Sequence, residues 1–258
     1  MRRVIYAVDA ALPESPEVTG SPAAAEGPPG DKRRYVREMF SSIAPTYDLL
    51  NHLLSVNIDR SWRDRAVARL GWEARPDGLY LDACAGTLDF AAALCRRPGF
   101  RGTVVGADFA VPMLRAGGGK AGGRILRAGS DALQLPFADQ AFSGATVGFG
   151  VRNLADLDAG FVELHRVLAD GARLVVLDFT TPSFAPMRAL YLFYFRRVLP
   201  TVGRWISGHP TAYDYLPSSV MEFPSPPALR SRMERAGFRS CGYELLTGGI
   251  AAVHWGER

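Results

Sequence analysis

The chain of 258 residues is short of several things, and each shortage excludes something. Only two of its 30 basic residues are lysines, Lys32 and Lys120; the other 28 are arginines scattered along the sequence. No dense basic tract marks a nucleic-acid surface, so no nucleic-acid partner is expected. The three cysteines, Cys84, Cys95 and Cys241, are an odd and widely spaced set. They make no disulfide framework and suit a reducing compartment, with buried thiols expected. The four histidines, His52, His165, His209 and His254, share no metal-ligand spacing, so no metal is expected. No apolar run of about 18 residues is free of charge, which argues against a membrane-spanning helix. Met1 to Arg3 followed by Val4 to Val8 starts like an export signal, but Asp9 cuts the run too short, and export is not expected.

What remains is ordinary for a globular protein. A hydrophobic share of 48% with 22% charged residues excludes a wholly disordered chain and a coiled coil. The net charge of +4 permits anionic lipid or acidic partners without requiring them. Residues 1–31, rich in Pro, Ala, Gly, Ser and Glu from Ala10 to Gly30, read as a flexible tail. A helical cap is expected over 32–72, from Tyr35, Met39, Ile43 and Tyr47 at four-residue steps and from Trp62, Ala66 and Leu70 later.

After Gly78 the rhythm alternates. Strands are expected at Leu79 to Ala83, Thr103 to Asp108, around Ile125, Ala145 to Phe149 and Arg173 to Phe179. Helices are expected at Phe90 to Arg97, around Met113, and at Phe161 to Leu168. That alternation implies an α/β fold with a mostly parallel sheet covered on both faces. The end differs. Leu229 to Ala236 reads as a helix closed by Gly237, and Tyr243 to Leu246 with Ala251 to Trp255 flank Gly248-Gly249 as an antiparallel hairpin.

In such a sheet, ligands sit beyond the carboxyl ends of the strands. After the first strand, Asp82-Ala83-Cys84-Ala85-Gly86-Thr87-Leu88-Asp89 combines small residues with a following helix N-terminus. It fits a dinucleotide fingerprint poorly, and a tight strand-helix turn is the plain alternative. After the second strand, Asp108 is placed to accept both hydroxyls of a ribose, or to cap a helix. After the third, Asp131 is placed to accept from a purine amino group, with Ala132 beside it; an ordinary surface turn is equally consistent. After the fourth, Gly148-Phe149-Gly150-Val151-Arg152-Asn153 puts a cation and an amide at the edge where chemistry is expected, and pairing of Arg152 with a neighbouring carboxylate is the alternative.

This combination resembles a class I S-adenosylmethionine-dependent methyltransferase, Rossmann-like, with a seven-stranded sheet. More specifically, five segments resemble the ubiquinone/menaquinone biosynthesis C-methyltransferase family, in its order and across residues 33 to 256. They are Tyr47-Asp48-Leu49-Leu50-Asn51 with Trp62, Leu81 to Asp89, Gly106 to Phe109 with Met113-Leu114, Gly148 to Asn153, and Tyr213 to Leu216 with Phe223-Pro224. The Cys-Ala-Gly-Thr-x-Asp loop and Leu190 to Arg196 are most similar to the members that methylate demethylmenaquinone. The resemblance implies C-methylation of a prenylated naphthoquinol, demethylmenaquinol, with S-adenosylmethionine as cofactor. A benzoquinol or another phenol is the alternative. It places Asp82, Ala83, Gly86, Thr87, Asp108, Phe109, Asp131, Ala132 and Gly148 at the cofactor, Tyr47, Asn51 and Phe149 at the substrate, and Arg152 with Asn153 at the reaction. Two departures stand out. Leu88 occupies a position where many members have Gly and is expected to crowd the cofactor. Asp131 stands where Asn is common. The glycine-rich Gly117 to Arg124 also looks shortened, which implies a looser cofactor edge.

The chemistry sets its own demands. Removing a hydroxyl proton from a hydroquinone pushes charge onto the adjacent ring carbon, which then attacks a sulfonium methyl in line. Alignment is most of the catalytic task. The developing phenolate needs a positive partner, for which Arg152 is the candidate. Asp48, His52 and Asp89 are the candidate bases, and the sequence does not choose among them.

Residues 183–224 look like an insertion. Within it, 187–206 interleaves Met187, Leu190, Tyr191, Phe193, Tyr194, Phe195, Val198, Leu199 and Trp205 with Arg188, Arg196, Arg197 and Arg204. That pattern suits peripheral contact with anionic lipid, and equally a helix over the active site. The expected location is cytoplasmic, at the inner face of the cytoplasmic membrane. The oligomeric state is not legible. Three rivals fit less well. A nucleic-acid methyltransferase lacks its Pro-Pro-aromatic motif here, a nicotinamide dehydrogenase lacks its glycines, and a degenerate cofactor-binding scaffold has only Leu88 in its favour.

Overall fold

The computed structural model describes residues 29–45, 47, 57–120, 122–194, 197 and 212–258. Most of the expected tail, together with Asp48, Asn51, His52 and most of 195–211, lies outside them. Seven strands form one sheet: β1 Leu79–Ala83, β2 Thr103–Asp108, β3 Ile125–Gly129, β4 Phe142–Gly148, β5 Leu168–Phe179, β6 Arg239–Leu246 and β7 Ala251–Glu257. Their order is β3-β2-β1-β4-β5-β7-β6. The first five pair in parallel, and β7 runs antiparallel to both β5 and β6. The expected sheet and its closing hairpin are both present.

The order runs outward from β1 in one direction and from β4 in the other. The crevice where such a sheet binds ligands therefore lies beyond β1 and β4. Period-two alternation divides the strand residues between two cores. Tyr80, Val104, Val175 and Leu177 join a core with Trp62, Ala66 and Val67 of α2 (Ile58–Arg69) and Phe90 to Leu94 of α3 (Asp89–Cys95). Leu81, Val105, Leu174 and Val176 face the other way. They pack with Phe161 and Leu164 of α5 (Leu157–Val167) and Leu229 and Met233 of α8 (Pro226–Arg235). Between them, α4 (Val111–Ala116) follows β2.

A third cluster roofs the crevice. Tyr35, Val36, Met39 and Ile43 of α1 (Pro29–Ile43) meet Tyr191 of α6 (Ala185–Phe193) and Tyr215 and Val220 of α7 (Ala212–Glu222). The helix α1 begins inside the stretch expected to be tail. Pro29 suits its first turn, where a missing N–H costs nothing.

Other boundaries move as well. β5 opens at Leu168, not Arg173, because Leu168 pairs with Phe142 ahead of a register shift, with Gly171 at φ 71°. The exposed Asp170-Gly171 reads as a turn in sequence, and pairing across the sheet overrides it. The hairpin link is one tight turn, Thr247–Gly249, with all three residues at positive φ. The three cysteines are free thiols, only partly buried instead of fully so. Cys84 lies in the crevice wall, Cys95 ends α3 and Cys241 sits on the outer strand β6, so none reaches the middle of a core.

Asp82 ties three elements together at the crevice floor. Its carboxylate accepts from the Ala91 N–H of α3 at 3.0 Å and from Thr146 Oγ1 of β4 at 3.0 Å. Burial pushes its pKa up to about 7, against the pull of those two hydrogen bonds. The folded form therefore holds a proton that the unfolded chain releases near pH 4. Stability from this group is complete below pH 4 and is lost as the pH rises towards 7. Asp82→Asn is expected to flatten this part of the decline in Tm between pH 4 and 7, measured by thermal unfolding across that range.

Candidate active site

A cavity opens at the carboxyl ends of β1 to β4, with about 680 Å³ of space counted together with the open solvent at its mouth. The fold brings Gly86, Asp108, Phe109, Asp131, Ala132 and Gly148 into its wall, with Tyr47, Phe149 and Asn153. It does not bring Asp82, Ala83, Thr87 or Arg152 to that wall. Asp82 and Ala83 are turned inward within β1, buried and committed to the sheet. Asn51 lies outside the described residues.

The loop after β1 is held from beneath. Ala85 N–H donates to Ala107 O at 3.1 Å, and Gly86 N–H donates to Asp108 Oδ2 at 2.8 Å. The other oxygen of Asp108 accepts from Ala110 N–H at 2.8 Å. Asp108 is thus not the cap of α4, whose N-cap is Ala110; it bridges two loops. Burial pushes its pKa up to about 6, and its three backbone hydrogen bonds pull the other way.

Leu88 corrects an expectation. Its backbone is left-handed, φ 67°, ψ 25°, a conformation that costs an L-residue about 1–2 kcal/mol. Its side chain is fully buried and fills the space over Gly106, where an added Cβ would lie 2.3 Å from Leu88 Cδ2. It is absent from the cavity wall, so it packs the core and does not crowd the cofactor side.

The neighbouring glycine-rich stretch is packed only at its start, and Gly119, Gly122 and Gly123 stand open. A Cβ on Gly117 would lie 2.4 Å from Thr87 O, so only glycine fits against this loop. Lys120 Nζ donates to Thr87 Oγ1 at 3.2 Å and pairs with Asp89 at 2.7 Å. Arg63 takes the other oxygen of Asp89 at 3.1 Å. Held between two cations and away from the cavity wall, Asp89 is poorly placed as a base.

Arg152 also departs from expectation. It is not presented to this cavity. The guanidinium is buried, pairs with Asp178 at 2.6 Å and donates to Phe149 O at 2.7 Å. Its Nε–H has no acceptor among the described residues. Burial opposes its charge, but Asp178 together with Tyr47 and Tyr215 outweighs this and raises its pKa. Arg152 lines a second, more open cleft, shared with Tyr215, Ser219 and Glu222. Asn153 stands between: Nδ2 donates to Phe149 O at 3.3 Å, and Oδ1 accepts from Tyr215 OH at 3.2 Å.

Several contributors escaped the sequence reading. Arg33 of α1 reaches Asp131 at 2.5 Å, and Val36 and Phe40 line the cavity beside it. Lys32 donates to Leu154 O at 3.0 Å, pinning α1 to the loop after β4. Asp178 carries no local signal, and Tyr191 stands out only as part of the aromatic and Arg stretch 187–206. Tyr215 was quoted only within a motif. Each contact spans dozens of residues, and no local pattern announces it.

The wall suits a nucleoside-bearing cofactor. Asp108 keeps acceptor capacity beyond the backbone N–H bonds it takes, and the buried Ser130 Oγ finds no partner among the described residues. Gly86, at φ 51°, lets the backbone come close. Sheet order, antiparallel hairpin and the acid closing β2 define a class I methyltransferase whose cofactor is S-adenosylmethionine.

Known proteins agree. The profile of the ubiE/COQ5 methyltransferase family matches residues 30–258, and the chain belongs to that family. A demethylmenaquinone methyltransferase of Thermus thermophilus is 52% identical over 224 residues, 85% of this chain and 100% of its own length. A demethylmenaquinone methyltransferase of Deinococcus radiodurans is 43% identical over 88% of this chain and 94% of its own. A ubiquinone/menaquinone biosynthesis C-methyltransferase of a Geobacter species is 41% identical, covering 88% and 98%. Among solved structures, a methyltransferase of Thermotoga maritima matches in fold with a TM-score of 0.60 at 20% identity, covering 85% of this chain and 97% of its own.

The packing of Leu88 makes a prediction. Leu88→Gly relieves the left-handed backbone but empties a core position, for a net loss of about 2 kcal/mol and about 5 °C in Tm. Affinity for S-adenosylmethionine, measured by calorimetry, is expected to stay unchanged; a marked gain would show that Leu88 does crowd the cofactor.

Proposed function

We propose that this chain methylates a ring carbon of demethylmenaquinol, giving menaquinol. The observation that carries the reading is one cavity with two kinds of wall. Gly86, Asp108 and Asp131 form the end suited to a nucleoside, while Tyr47, Phe149 and Asn153 form an aromatic and amide end. The names of the Thermus and Deinococcus relatives support demethylmenaquinone as the substrate class.

When bound, S-adenosylmethionine supplies the electrophilic methyl. The protein's part is to hold the quinol ring against it. Phe149 packs at 4.8 Å from Phe179, and Trp62 is 6.4 Å from Phe149, which gives the ring wall a rigid backing. Asn153, its Oδ1 taken by Tyr215, keeps an amide hydrogen for a quinol oxygen or a water. Arg152 supports the developing negative charge from behind this wall and does not touch the ring. Tyr47 stands at the cavity and interacts electrostatically with Arg152.

The decisive assay combines the protein with methyl-labelled S-adenosylmethionine and chemically reduced demethylmenaquinone. Labelled menaquinone by mass spectrometry is expected, and none with the oxidised quinone, whose ring carbon is not nucleophilic. Turnover only with a reduced benzoquinone would move the substrate class and keep the reaction.

The reading extends to location. No helix among the described residues is long and apolar enough to cross a membrane. Phe184, Leu190 and Phe193 on and beside α6 are 67%, 65% and 60% exposed. This apolar stripe supports peripheral contact between 187–206 and anionic lipid at the inner face of the cytoplasmic membrane. It would set the cavity near a prenylated substrate. The double substitution Leu190→Glu, Phe193→Glu is expected to cut co-sedimentation with anionic liposomes at least about tenfold, roughly the burial of one large apolar side chain. Undiminished binding would place the contact elsewhere.

A further inference from the structure

Asp178 ends the buried part of β5, and its position follows from strand register. Gly148 of β4 lies opposite Leu177, and Phe149 N–H donates to Leu177 O at 2.7 Å. The residue after Leu177 therefore sits directly against the turn that leaves β4. Asp178 is 2% exposed. Its Oδ1 accepts from Arg152 at 2.6 Å and from Phe179 N–H at 2.8 Å, and Oδ2 lies 3.5 Å from Arg152 N. One carboxylate thus meets both the guanidinium and the backbone of the same residue.

From there the contacts lead outward. Arg152 donates to Phe149 O, which also accepts from Asn153 Nδ2. Phe149 and Asn153 are on the cavity wall, and Arg152 and Asp178 are behind it. A carboxylate this deep is costly unless paired, and the pair survives only with good geometry on both sides. Arginine cannot escape by losing its proton. Without the opposite charge of Asp178, the guanidinium would be drawn from beneath Phe149 towards the wetter second cavity.

The geometry points to Asp178 as the positioning residue of the methyl-transfer site, fixing Arg152 and, through the shared Phe149 carbonyl, the 149–153 turn that faces the quinol. This rests on the reading of that turn as the substrate wall. Asp178 itself touches neither reactant. Its carboxylate sets the orientation of groups that do.

The test uses the full chain carrying Asp178→Asn, Asp178→Glu, Arg152→Gln, and Arg152→Gln with Asp178→Asn. Turnover on reduced demethylmenaquinone and calorimetric affinity for S-adenosylmethionine are measured on each. Asp178→Asn is expected to lower kcat about 100-fold, on the scale of losing one aligned donor, with cofactor affinity unchanged. Asp178→Glu, which keeps the charge, is expected to recover most of that loss. The double variant is expected to be no slower than Arg152→Gln alone, because the two residues act as one unit.

Asp178→Asn turning over at the parent rate, with only its Tm lowered, overturns the proposal. So does a double variant clearly slower than Arg152→Gln. Full activity in Arg152→Gln would instead refute the substrate-wall reading. Should Asp178→Asn fail to fold, Arg152→Gln against the double variant still decides, since the double variant leaves no unpaired buried charge.

Discussion

The constraint on which the structure depends is a sheet buried on both faces. Tyr80 and Leu81, Val104 and Val105, Val175 and Val176 send neighbouring side chains into opposite cores. Polar chemistry is then admitted only where the strands run out. Asp82, Asp108 and Asp178 belong to strand ends, and each is nearly enclosed. A carboxylate in such a place is tolerable only with donors around it. The fold supplies them: backbone N–H groups and Thr146 for Asp82, two loops for Asp108, Arg152 for Asp178. The acids that organise the crevice are thus also the bolts between its loops.

The roof is built from a distant part of the chain. Two consecutive residues of α1 reach opposite rims: Lys32 to the loop after β4 and Arg33 to Asp131 after β3. Tyr35 packs edge-on to Tyr215 of α7, with ring centroids 5.8 Å apart. The helix therefore closes the crevice with both charge and aromatic area. Burial lowers the pKa of Lys32, and the charge of Glu222 pulls the other way. Both lysines of the chain serve loops at the crevice, Lys32 after β4 and Lys120 under Thr87.

Much of this is legible before any folding. Leu79 to Ala83 and Thr103 to Asp108 announce themselves as strands by largely apolar runs with an acid at or next to the end, and Gly237 marks a helix end through its need for positive φ, here 104°. The loops after β1 to β4 follow by position. The roles inside those loops were harder to read. Leu88 looks from sequence like an obstruction, and it is a core residue because its left-handed backbone turns the side chain over Gly106. Asp89 looks like a base, and two cations from separate helices and turns hold it elsewhere. Arg152 looks like a cation facing the substrate, and Asp178, 26 residues on, draws it behind the wall.

By itself the sequence determined the order of strands and helices, the α/β class, the antiparallel close and the loops where a ligand can meet backbone. Those are set by periodicity, by turn residues and by the rule that parallel strands carry their sites at one end. Only the tertiary structure decided which acid meets which cation, which side chains reach the cavity and which stand behind it. Such pairings join residues remote in the chain, and burial makes each charge accept whichever opposite group the packing brings within about 3 Å.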